Sequence, residues 1–135
     1  METSAGADRT ALAVLCDSYR EEEVAGEKRV VLRIAPALAP LKAAVFPLVN
    51  KDGMPELARR MFDDLRGHYN VFYDDGGSIG RRYRRQDEAG TPFGVTIDGQ
   101  STQDGTVTVR DRDTLLQVRV AGERLAQYLS EKLTA

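Results

Sequence analysis

The chain has one cysteine, Cys16, and one histidine, His68. A single thiol cannot close an internal disulfide and cannot supply a cysteine zinc site, and it fits a reducing compartment. His68 follows Gly67 at the end of a predicted helix, where the helix dipole favours it. No metal-spaced histidine, cysteine or carboxylate set surrounds it, so it reads as a turn residue and no metal is expected. Long apolar runs are absent too. None approaches the roughly 20 residues needed to cross a bilayer. The opening METSAGADRT has neither the basic nor the apolar stretch of a secretory signal. The expectation is a soluble, cytoplasmic protein without a membrane partner. An excess of positive charge is also lacking: 19 basic residues stand against 21 acidic ones, a net charge of −2. Any contact with nucleic acid must therefore come from local clustering. No Walker loop occurs.

What is present suits one globular domain: 135 residues, 41% hydrophobic and 30% charged. Residues 8–19 predict a helix, with Ala11, Leu12, Leu15 and Cys16 at helical spacing. Residues 20–28 read as a charged connection and 29–34 as a strand. The proline-bounded stretch 35–40 reads as a boundary. A regular pattern follows. Strand 42–49 leads to a helix over 55–68 that begins on Pro55 and carries Leu57, Met61 and Leu65 on one stripe. Strand 70–75 leads through a glycine-rich entry to a helix that Gly90 closes. Strand 91–98, a polar turn over 99–105, a hairpin of 106–113 with 115–121, and a helix over 122–133 complete the chain. The order β-α-β-α-β-β-β-α implies an α/β three-layer sandwich with a mixed sheet of about five strands. Residues 35–135 form this domain, and residues 1–34 read as a remnant of another unit plus a connector.

Four of the five residues 81–85 are arginine. At about 100° per residue, Arg81, Arg82, Arg84 and Arg85 spread over one side of the helix with Glu88 among them, while Ile79 and Tyr83 face the other way. One acid cannot neutralise four guanidinium groups. Two readings stay open: a solvated face, or a surface for phosphate oxygens, which arginine grips through a fixed fork of donors. Alternation over 106–113 puts Val107 and Val109 on the core face and Thr106, Thr108, Arg110 and Arg112 on the other. That face is either cross-strand salt bridges or a binding surface. The segment GGSIG, with Asp74 and Asp75 directly before it, reads as a turn with Ser78 as N-cap rather than as an anion nest.

The stretches KAAVFPLVNKDG, YDDGGSIGRRYRRQDEAGTPFGVTID and DGTVTVRDRDTLLQVRV together resemble the C-terminal anticodon-binding domain of class II aminoacyl-tRNA synthetases, and within that group the dimeric-type glycyl-tRNA synthetases. ETSAGADR (residues 2–9) resembles the third class II motif, a strand leading into a helix, with proline replaced by Thr3. The resemblance implies the tRNA-binding portion of an enzyme that ligates glycine to tRNA(Gly) with ATP and Mg. The whole enzyme would be a homodimer, and the rest of its catalytic domain would be a partner of this piece. Arg9 would contact ATP phosphates, Ser4 would sense glycine, and Glu2 would lie near ATP. With the first and second class II motifs missing, this chain alone is expected to have no aminoacylation activity, and helix 10–19 to expose apolar surface.

Glycine anticodons carry cytosines at their second and third positions. Cytosine offers one amino donor and two acceptors, which suit a carboxylate beside an arginine or glutamine. Matched position by position, Asp98, Gln100, Arg110, Arg112 and Ser78 would read the anticodon, and Arg81, Arg82, Arg84 and Arg85 would hold the tRNA backbone. The alternative is a non-catalytic scaffold of the same fold, of the polymerase accessory kind, binding another nucleic acid or protein.

Overall fold

The computed structural model describes residues 2–24 and 26–133, with side chains over 9–23 and 26–133. The chain runs α1 (Glu2–Ser18), β1 (Tyr19–Val24), β2 (Glu27–Leu32), β3 (Ala43–Pro47), α2 (Met54–Leu65), β4 (Val71–Tyr73) and α3 (Ile79–Ala89). It continues with β5 (Phe93–Ile97), α4 (Gly99–Asp104), β6 (Thr106–Asp111), β7 (Gln117–Ala121), a 3-10 turn (Gly122–Arg124) and α5 (Leu125–Leu133).

Five strands form one mixed sheet in the order β4-β3-β5-β6-β7. The first three are parallel, and β6 and β7 run antiparallel. From β3 the chain passes through α2 to one neighbour, β4, and from β4 through α3 to the opposite neighbour, β5. Crossovers of one hand then place α2 and α3 on opposite faces. Alternation does the rest. Val45, Val95, Ile97, Val107 and Val109 turn to one face and bury with Ala58 and Leu65 of α2 and Leu125 and Leu129 of α5. The other face receives α3. There Tyr83 lies edge-on to Phe46, with ring centroids 5.2 Å apart, and its hydroxyl bonds to Thr96. A Cβ at Gly94 would come 2.7 Å from the Tyr83 ring, so the helix settles this close because that strand residue has no side chain. The expected three-layer α/β sandwich with a mixed five-stranded sheet is thus the fold.

Three local expectations differ from the structure. The charged connection over 20–28 is mostly strand: β1 and β2 pair as an antiparallel hairpin with Glu22 opposite Arg29 and Glu23 opposite Lys28. Opposite charges across the ladder do the work that apolar alternation would otherwise signal. Glu21 and Lys28 meet at 3.0 Å. The polar turn over 99–105 contains helix α4. Asp98 caps it by accepting from Ser101 N, and the Ser101 side chain meets the Asp98 backbone in return. The motif-3-like strand at residues 2–9 lies within helix α1. A strand needs a sheet to satisfy its backbone, and a helix satisfies its own.

The hairpin packs on the outer side of α3. Val31 and Ile34 are buried. Gly90 ends α3 in the left-handed region at φ 83, and a Cβ on it would meet Ile34 Cδ1 at 2.8 Å. Residues 27–34 therefore pack directly against α3. Leu12, Leu15 and Tyr19 stand exposed on α1 and the start of β1.

Candidate nucleic-acid interface

The two arginine clusters have separate fates. Arg82 is 3% exposed and donates to the carbonyls of Pro47 and Gly77, the latter at 2.9 Å. It sits at the margin of the buried arc of α3, where the end of β3 and the glycine loop offer carbonyls to a long donor. Arg82 is thus a structural arginine and not a tRNA-backbone contact. Arg112, 2% exposed, is corrected in the same way. Strand β6 ends at Asp111, so the alternation that placed Arg112 beside Arg110 stops before it. Its guanidinium turns inward and donates to Gly90 O at 2.9 Å and Ile34 O at 2.7 Å, with Asp113 as ion-pair partner.

The remaining helix arginines are exposed, yet the broad uncompensated face expected of them is smaller. Arg84 pairs with Glu27 of the hairpin, and Arg85 pairs with Asp74 at 2.8 Å. Both acids are distant in sequence, which is why the helix alone seemed underneutralised. The two arginine side chains are about half exposed, while Asp74 is 12% exposed. The exposed Arg84–Glu27 pair is worth only ~0–1 kcal/mol. Among the described residues, the Arg81 guanidinium at the start of α3 has no carboxylate within ion-pair distance. Arg110 forms a fork–fork pair with the buried carboxylate of Asp87, at 3.0 and 3.2 Å, and lies 4.6 Å over the Tyr83 ring. Asp87 also receives Arg29 from the hairpin at 3.4 Å.

The parallel strands carry the other polar groups to one edge of the sheet, beyond their C-terminal ends, where the strand order reverses around β3. Open α/β sheets place ligands there. Ser78 follows β4 and accepts from Arg81 N at 3.3 Å as the N-cap of α3. Asp74 accepts from Gly76 N at 3.0 Å, and Asn50, in the loop after β3, donates to Asp75 O at 3.2 Å. The glycine loop is therefore an internally bonded turn, as its sequence suggests.

Asp98 follows β5 at the same edge. It receives Arg119 Nη2 at 2.6 Å and Ser101 N at 3.0 Å. The Arg119 hydrogen bond, with help from Ser101 against partial burial, holds the Asp98 carboxyl below its ordinary range. Gln100 is exposed and donates to Asp104 at 2.9 Å. Hydrogen bonds from Thr106 and Gln100 bring the Asp104 pKa down to about 2.

The five residues expected to read the anticodon are thus divided. Ser78, Asp98 and Gln100 lie at the C-terminal edge of the parallel strands. Arg110 sits opposite Gly94, near the start of β5, and Arg112 lies beyond it toward the other edge. Arg119 was missed. It faces Thr108 across β6 and β7, on the same side as Arg110 and beside Asp98. Carrying the alternation from β6 into QVRVA would have found it. Of the motif-3-like positions, Arg9 is exposed on α1, and the side chains of Glu2 and Ser4 lie outside the described residues. Among the described residues no group of three or more His, Cys, Asp or Glu side chains is arranged to hold a metal ion.

Guanidinium, amide, hydroxyl and carboxylate groups around an open sheet edge define a binding domain of the α/β sandwich class. The chain belongs to the anticodon binding domain family, whose model matches residues 42–132. It is 55% identical over 140 residues to a glycine–tRNA ligase of Rhodopirellula baltica, covering 100% of this chain and 26% of that protein. It is 55% identical over 133 residues to the glycine–tRNA ligase of Caldanaerobacter subterraneus, covering 98% and 28%. It is 51% identical over 134 residues to that of Borreliella burgdorferi strain B31, covering 98% and 30%. The chain spans between a quarter and a third of the length of these relatives.

Proposed function

We propose that this chain is the tRNA-recognising portion of a glycine–tRNA ligase and engages the anticodon arm of tRNA(Gly). One observation carries the reading: the anticodon-binding fold over residues 42–132 sits in a chain that aligns almost end to end with glycine–tRNA ligases. The sheet edge supports it. Arg81, Arg84 and Arg85 are exposed cations suited to backbone phosphates, and Asp98 and Gln100 present hydrogen-bonding groups to an unstacked base. In the longer protein this portion would serve ATP- and Mg-dependent joining of glycine to tRNA, within a homodimer. Arg9 alone is not a nucleotide site, because an adenylate transition state needs several groups held together. The chain by itself is inactive in that reaction.

A filter-binding titration of the chain with glycine tRNA and with duplex DNA of equal charge tests the proposal. Glycine tRNA should bind more tightly. Tighter binding of the duplex would overturn the reading and favour a scaffold for another nucleic acid.

A further inference from the structure

Strand β7 closes one edge of the five-stranded sheet and, among the described residues, pairs with β6 alone. Leu116 O accepts from Asp111 N, and Gly105 O from Gly122 N, both at 2.9 Å. Antiparallel alternation then turns the backbone N–H and C=O groups of Gln117, Arg119 and Ala121 away from the sheet. Such an edge is commonly guarded by a short strand, a proline or a lysine. The opposite edge is guarded by shortness, since β4 has three residues. QVRVA carries neither proline nor lysine, and its one charge, Arg119, is drawn back onto Asp98 at 2.6 Å. Along this edge Leu116 is 68% and Val118 42% exposed. Tyr128 of α5 lines one groove with Val120 and another with Leu116 and Val118.

The groups along this edge complement themselves. Arg124, Gln127, Tyr128 and Glu131 follow at i, i+3, i+4 and i+7 and line the same groove with Val120, so they form one stripe on the β7 side of α5. The stripe runs cation, amide, phenol, anion. Turned end over end by a two-fold axis between Gln127 and Tyr128, it meets itself with Arg124 opposite Glu131. The strand has matching symmetry. An axis at Arg119 sets Gln117 against Ala121 and Val118 against Val120, and joins the outward backbone groups of two copies in one ladder. The two Arg119 side chains meet near that axis, each already paired with its own Asp98. We infer that this edge is a self-association surface, on which a second copy of the chain adds β7 to β7 and α5 to α5 and makes two sheets continuous. A closed two-fold interface requires one patch that complements itself. An unrelated peptide strand would not require the inverted order of charges. The inference stands apart from the tRNA reading, since it uses neither the glycine loop nor the exposed arginines of α3.

Sedimentation equilibrium of the full chain over a wide range of concentration tests this. The mass should rise from that of one chain toward that of two. Arg124→Glu and Glu131→Arg each place two like-charged pairs in the symmetric interface, so each should weaken association by about tenfold or more. The doubly reversed chain, Arg124→Glu with Glu131→Arg, brings opposite signs together again and should regain the parent association. Val118→Lys, at an exposed position, supplies the missing edge guard and should give a monomer. Circular dichroism melts report whether each variant keeps its fold. A parent chain that stays monomeric throughout overturns the inference. So does a dimer that the folded single reversals leave unchanged, or that the double reversal does not recover, because association would then use another face. Either result leaves the tRNA reading standing, since filter binding tests that reading separately.

Discussion

At the scale of single residues, Asp87 governs more of this molecule than any of the arginines. Its carboxylate is 2% exposed, accepts hydrogen bonds from Arg110 of the sheet and forms an ion pair with Arg29 of the hairpin. An acid shared by two guanidinium groups is not replaceable by a neutral isostere. Asp87→Asn would leave Arg29, itself buried, with only Glu22 at 3.9 Å as a compensating charge. Removing one partner of a buried pair typically costs about 3–5 kcal/mol, so urea denaturation of Asp87→Asn should show a loss of that order. A midpoint unchanged from the parent chain would mean that the pair contributes nothing net. Sequence reasoning saw the arginines and missed this acid. Asp87 sits three residues from Arg84 and two from Arg85, yet it serves neither, because it points to the sheet while they point to solvent.

At the scale of elements, long periodic segments were legible and short polar ones were not. The stripe of Leu57, Met61 and Leu65 gave α2, and the helix expected over 122–133 contains α5 with Leu125, Leu129 and Leu133 buried. Each places an apolar face on the core. Helix α4 and the β1–β2 hairpin are polar, and their order comes from a capping box and from cross-strand ion pairs. No hydrophobic period announces either device. The close of α3 was read correctly from Gly90, whose φ of 83 disfavours any side chain. Here conformation and packing act together, since a methyl group would also strike Ile34. Gly90→Ala should destabilise the chain by more than the ~1 kcal/mol of an ordinary exposed helix-end glycine. Thermal unfolding would register this as a lowered midpoint, and the same substitution at Gly105, where nothing lies within 4 Å, gives the comparison without the clash.

At the scale of the whole molecule, the order of elements in sequence was enough to reach the sandwich, but not to assemble the interface. Arg82 and Arg112 looked like surface cations because helical phase and strand alternation say which way a side chain leaves the backbone, not which carbonyls await it. Arg119 was overlooked for the converse reason: it becomes a neighbour of Asp98 only when β7 pairs with β6. The basic character left at the sheet edge is modest, consistent with a chain of net charge −2. RNA affinity should therefore depend on few cations and respond to each. Arg81→Ala should weaken binding to all RNAs alike and reduce the slope of log affinity against log salt by about one. An unchanged slope in a salt titration would place Arg81 outside the contact.

Because Arg29 and Arg110 pair with the same carboxylate, the hairpin cannot lift away without loosening a sheet residue that faces the polar surface. The outermost layer is thereby mechanically geared to the floor of the polar face. A tug on one is felt in the other, with Asp87 as a shared tooth between them.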